Sequence, residues 1–120
     1  MLTIFTTTKP SVGEIDVIQR NAIASWRLLK PKPQIILFDN ERGAKKLAKD
    51  FKIKHIQEVQ KNEYGTPQVS DIFKKAEKLS KHKILAYVNA DIILAQDFLE
   101  AISKIKLDKF LIVGQRRDFD

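Results

Sequence analysis

The chain contains no cysteine, which excludes a disulfide scaffold, a thiolate zinc site, an iron–sulfur cluster and a cysteine nucleophile. Glycine and proline are scarce, four of each, so a collagenous or low-complexity chain is excluded as well. Only two histidines occur, His55 and His82, which argues against an imidazole metal site. No apolar run approaches the ~20 residues that a membrane helix needs. The opening MLTIFTTTK has no basic stretch ahead of an apolar one, so no signal peptide is expected. The expectation is a cytoplasmic protein with no membrane insertion.

What remains is 120 residues, 43% of them apolar and 31% charged, enough to bury one core and too short for two. Residues 1–120 are expected to form a single domain. The net charge of +7 suggests an anionic partner. The lysines are interleaved with carboxylates, however, and only five of the 22 basic residues are arginine. A nucleic-acid surface usually shows a stripe of arginine and aromatics. The charge is therefore read as solvated helix faces, with no specific nucleic-acid partner.

Short apolar runs alternate with helical periods. Leu2–Thr8 is β-branched and aromatic, a strand that runs into Lys9-Pro10. Ser11 and Glu14 are spaced as a capping box. The helix that follows would turn Ile15, Ile18, Ala22, Trp26 and Leu29 inward, and Pro31 and Pro33 would end it. Gln34–Phe38 reads as a covered strand, and Asp39-Asn40 as the cap of a short helix with Ala44, Leu47 and Ala48 inward. Lys54–Val59 is a weaker strand. After a polar loop, Thr66 and Pro67 suit the start of a helix carrying Val69, Ile72, Phe73, Ala76 and Leu79 on one face. Ile84–Val88 is the most apolar strand, Phe98, Leu99, Ile102 and Ile105 mark a further helix, and Phe110–Val113 a last strand. This order predicts a three-layer α/β/α domain with a mostly parallel sheet of about five strands. Trp26 and Phe73 are expected in its core.

In such sheets ligands sit beyond the carboxyl ends of the strands. The usual occupants are excluded by missing motifs. No G-x-G-x-x-G follows the first strand, and no G-x-x-x-x-G-K-[ST] exists anywhere. Thr6, Thr7 and Thr8 stand where a phospho-receiver domain would need carboxylates. The fourth strand ends differently, in Asn89-Ala90-Asp91. Residues i and i+2 of an extended chain point the same way, so Asn89 and Asp91 can approach one ion or one ribose. A carboxylate there suits Mg²⁺ or Mn²⁺; the plainer alternative is an aspartate that caps a turn.

These residues carry a resemblance. YVNADIIL, preceded by IQRNAIASW, LFDN and a helix opening at NEYGTP, resembles the nucleotide-diphospho-sugar transferases of the GT-A fold, in particular the family 2-like glycosyltransferases. YVNADIIL matches the position of their Asp-x-Asp motif, with Asn89 where many relatives carry Asp. The resemblance extends over the whole chain, as the N-terminal, donor-binding half of a GT-A/Rossmann-like fold truncated before its acceptor elements. It implies a nucleotide sugar (a UDP- or GDP-sugar) as ligand, Mn²⁺ or Mg²⁺ as cofactor, and metal-dependent sugar transfer to an unspecified acceptor. A non-catalytic interaction or regulatory domain that keeps this fold is the alternative.

Residue by residue, the resemblance places Thr6, Thr7 and Thr8 against the nucleoside and Asp39 on the base, unless Asp39 caps a helix. It places Asn89 on ribose or a metal-bound water, and Asp91 on the metal. Glu63, Tyr64 and Thr66 would border the nucleotide or merely cap the next helix, and Arg116 and Arg117 would meet diphosphate or lie in a solvated tail. No catalytic base is assigned, and homo-oligomerisation is left open.

Overall fold

A computed structural model of the chain describes residues 2–38, 41–57, 69–82, 84–104 and 110–113. The elements follow in the order β1 (Leu2–Thr6), α1 (Gly13–Arg27), β2 (Gln34–Phe38), α2 (Ala44–Phe51), β3 (Lys54–Ile56), α3 (Val69–Leu79), β4 (Ile84–Val88), α4 (Gln96–Ser103) and β5 (Phe110–Val113). All strand pairs are parallel, and the sheet order is β3-β2-β1-β4-β5. The α/β class and the parallel sheet agree with the expectation from sequence. No described helix is long and apolar enough to cross a membrane.

Strand alternation divides the core in two. Leu2, Ile4, Ile35, Leu37, Ala86 and Val88 face α1, α2 and α4, meeting Ala22, Ile23, Trp26, Leu47, Leu99 and Ile102. Phe5, Ile36, Phe38 and Leu85 face the other way, onto Ile72 and Ala76 of α3. Phe5 is fully buried there and meets Phe73 and Tyr87 edge-on, with ring centroids 5.0 and 5.5 Å away. Trp26 and Phe73 are thus core residues, as the helical spacing predicts.

The start of α1 departs from expectation. Ile15 and Ile18 are 39% and 47% exposed, while Gln19, Ala22, Ile23 and Trp26 are buried. The inward stripe follows the 3.6-residue period from a polar residue, Gln19, which a count of apolar positions passes over. Nor is there a capping box. The N-cap position is Val12, with no side-chain hydrogen bond. Ser11 lies one residue earlier, donating its hydroxyl to Asp16 and accepting from Gln19 Nε2. The N-cap position of the short helix α2 is Gly43; Asp39 and Asn40, expected as its cap, lie outside the described residues.

Candidate functional site

The chain runs from β1 outward to β2 and β3, then returns to place β4 on the other side of β1. At that reversal the connections leave β1 and β4 in opposite directions, opening a crevice above their carboxyl ends. The sequence arrives there with Thr6–Lys9 from β1 and Asn89–Asp91 from β4.

The β1 side is held by unusual local bonding. The segment after β1 has backbone groups with no sheet neighbour to pair them, and buried ones need partners. Gln19 supplies two of these: its Oε1 accepts from Lys9 N–H at 2.8 Å, and its Nε2 donates to the Lys9 carbonyl at 3.2 Å. Ser11 N–H donates to the Arg42 carbonyl at 2.6 Å, tying the same loop to the start of α2. Asp16, which accepts from Ser11, also accepts from Arg20 Nε at 2.9 Å, and Arg20 reaches on to Asp50 at 2.9 Å. The hydrogen bond from Ser11, followed by the Arg20 guanidinium and against some desolvation, holds the Asp16 carboxyl below its ordinary range. The loop is therefore built, not loose.

Within it the three threonines divide. Thr6 is fully buried and its hydroxyl donates to the Thr7 carbonyl at 3.2 Å. Thr7 is half-buried, with Oγ1 2.9 Å from the Tyr87 hydroxyl of β4. That contact stitches the ends of β1 and β4 across the crevice. Thr8 is 7% exposed.

On the β4 side, Asn89–Ile92 is a tight turn in which Ile92 N–H donates to the Asn89 carbonyl at 3.1 Å. Helix α1 fastens the turn from behind. The Trp26 indole N–H donates to the Ile92 carbonyl at 2.8 Å, and Ser25 Oγ accepts from Leu94 N–H at 3.0 Å. Asp91 sits inside this turn, yet Oδ1 of its carboxylate caps nothing: it is buried and makes no hydrogen bond among the described residues. Buried polar oxygens are ordinarily satisfied, and an unpaired anionic one is costly.

Neither a protein-family model nor a curated protein matches the chain. The site must speak through its own geometry.

The described residues bring Thr7, Thr8, Asn89 and Asp91 to one end of adjacent strands and bury Thr6 beneath them. Asp39, Glu63, Tyr64, Thr66, Arg116 and Arg117 lie outside the described residues. Among the described residues no group of three or more His, Asp or Glu could hold a metal. A cation bridged by a diphosphate does not require such a group, because Mg²⁺ is often bound through one or two carboxylates with water and phosphate completing its shell. The orphaned Oδ1 of Asp91 fits that role. Gln19, Ser25, Trp26 and Tyr87 are the supporting residues that the sequence does not reveal as such. The one available signal is chemical: a lone indole N–H inside an apolar stripe needs an acceptor.

Proposed function

We propose that this chain is a glycosyltransferase-like, GT-A-type domain that binds a nucleotide-diphosphate sugar with Mn²⁺ or Mg²⁺ at the carboxyl ends of β1 and β4. The observation that carries the proposal is the buried, unpartnered Asp91 Oδ1 in a turn clamped by Trp26, at the point where the strand order reverses. Asp91 would hold the cation, Asn89 would hydrogen-bond ribose or a coordinated water, and Thr7 and Thr8 would border the nucleoside. Asp39 and Thr66, which lie outside the described residues, are the further positions that the resemblance would assign to the nucleotide. When bound, the cation neutralises the diphosphate leaving group. The chain's own part is to position the donor and to keep one carboxylate oxygen bare for the ion.

A second reading keeps the fold and the binding but omits transfer. It is favoured by the single carboxylate among the described residues at this site and by the neutral Asn89 beside it. Ligand-induced thermal shifts separate the readings from each other and from a nucleic-acid binder. UDP with Mn²⁺ raises the melting temperature if the nucleotide site exists. Turnover of a UDP- or GDP-sugar then distinguishes a transferase from a binding domain. Stabilisation by oligonucleotide alone, falling steeply with salt, would overturn both.

A further inference from the structure

A concavity of about 310 Å³ opens at the opposite end of the sheet, where β2 and β3 begin. Its lining includes Arg27 at the end of α1, Lys32, Lys52 and Lys54 on either side of Ile53, and Lys81 after α3. Among the described residues no carboxylate lines it. None of the five cations makes an ion pair among the described residues; Arg27 instead lies over the Phe51 ring, 6.0 Å from its centroid.

Three helices, α1, α2 and α3, end at this rim, and basic side chains near helix C-termini have an ordinary explanation in the helix dipole. Each terminus carries roughly half a negative charge, so three supply about −1.5 against five full positive charges. The dipoles leave most of the charge uncompensated. The surroundings of His82, next to Lys81, agree: burial first, and then neighbouring positive charge including Lys81, hold its imidazole below the ordinary value of 6.5.

The floor of the concavity is rigid. Gln34, which lines it, accepts from Thr3 Oγ1 and from Lys81 N–H at 2.8 Å each, and donates Nε2 to the Leu79 carbonyl at 3.0 Å. Ser80 Oγ lies 2.8 Å from Thr3 Oγ1 and 2.7 Å from the His82 carbonyl. The turn that carries Lys81 is thereby fixed to the sheet. The four lysines of the rim are exposed, and no ion pair among the described residues occupies their ammonium groups, so they are available to an anion that enters the concavity.

We propose that this concavity is a second ligand site, separate from the nucleotide site, for a compact anion carrying several linked phosphates. Lysine ammonium groups bind phosphate as point charges, and the volume suits a small ligand. Among the described residues no aromatic side chain lines the concavity, so they offer no platform for base stacking, the usual means of holding single-stranded nucleic acid.

The test is titration calorimetry with tripolyphosphate, in EDTA and at about 0.15 M salt, where long-range charge effects are screened. The proteins are wild type, Lys32→Gln/Lys54→Gln/Lys81→Gln, the charge-matched Lys45→Gln/Lys49→Gln/Lys78→Gln, and Asp91→Asn. Circular dichroism verifies folding, and the single Lys54→Gln variant substitutes if the triple is unstable. The expected result is wild-type binding that the first triple weakens by about tenfold or more, and Lys54→Gln by about threefold, with the other two proteins within about twofold of wild type. Absent binding by wild type, or equal losses in the two triples, would overturn the proposal. Tighter binding of an oligothymidylate than of tripolyphosphate would replace the compact ligand with a nucleic-acid backbone and overturn it too. Because the assay contains no divalent cation and includes Asp91→Asn, failure of the nucleotide site leaves its outcome unchanged.

Discussion

Trp26 does two jobs with one side chain. Its ring fills the core between α1 and the sheet, and its N–H reaches the turn that carries Asp91. Trp26→Phe retains an aromatic body but removes that donor, leaving the Ile92 carbonyl short of a partner and a gap beside it. A loss of about 2–4 kcal/mol is expected, measured as a lower urea midpoint by far-UV circular dichroism. The helical spacing of Trp26 was sufficient to place it in the core. Its partner, 66 residues away, could not be read from any local pattern. The same holds for the contact of Thr7 with Tyr87, 80 residues apart. Asp91 was legible as a candidate because a carboxylate after a very apolar strand is chemically conspicuous; that its Oδ1 is buried and unpaired is a fact of packing.

At the scale of elements, the β1–α1 loop depends on α2. Gly43 has φ 86°, and a Cβ there would come within 2.8 Å of the Ser11 carbonyl oxygen and 2.9 Å of Ser11 Cβ. Gly43→Ala combines a left-handed backbone with that clash, so it should cost about 1–3 kcal/mol in a chemical denaturation series. It should also speed hydrogen exchange at Ser11 N–H, whose acceptor is the Arg42 carbonyl. An unchanged midpoint would mean that the loop moves aside without cost. Strands proved more legible than loops. Gln34–Phe38, Ile84–Val88 and Phe110–Val113 have the bounds their apolar runs predict, because strands of a parallel sheet read as near-continuous apolar runs. Of the expected Lys54–Val59, the described strand is Lys54–Ile56 and stops before Gln57, while Glu58 and Val59 lie outside the described residues; it is an edge strand of the described sheet, with weaker apolar patterning. For α1 the spacing placed Ala22, Trp26 and Leu29 inward correctly and misplaced only Ile15 and Ile18, since the inward residue near the start, Gln19, is there to hydrogen-bond a loop.

At the scale of the whole molecule, charge is unevenly used. Acid pairs with base around Asp16, Arg20 and Asp50 near α1, whereas the amino end of the sheet collects cations that have no ion pair among the described residues. The pH dependence of stability runs through His82, whose burial first, and neighbouring positive charge second, disfavour its protonation. His82 has a folded value below 6.5, so in the window beneath 6.5 the unfolded chain binds more protons than the folded one. Stability contributed by neutral His82 is complete above about pH 6.5 and declines as the pH falls from there towards the folded value. His82→Asn should flatten that decline, seen by comparing urea midpoints at about pH 7.5 and about pH 5.5. Asp16 acts lower, with a depressed carboxyl whose stabilisation is present above 3.8 and is lost as the pH drops through its folded value. An equal decline in wild type and His82→Asn between the two pH values would show that the loss of stability in this window does not run through this imidazole.

At the carboxyl end of the sheet, the role proposed for Asp91 is to keep one oxygen bare for a divalent cation held together with a nucleotide diphosphate. Asp91→Asn retains the shape and a carbonyl acceptor while removing the charge that holds the ion. The decisive measurement is a titration of UDP, with and without Mn²⁺, into wild type and Asp91→Asn. Wild type should bind UDP more tightly with Mn²⁺, and Asp91→Asn should lose that gain while keeping its circular dichroism spectrum. Equal binding by both proteins under both conditions would contradict the account and remove the metal from the site.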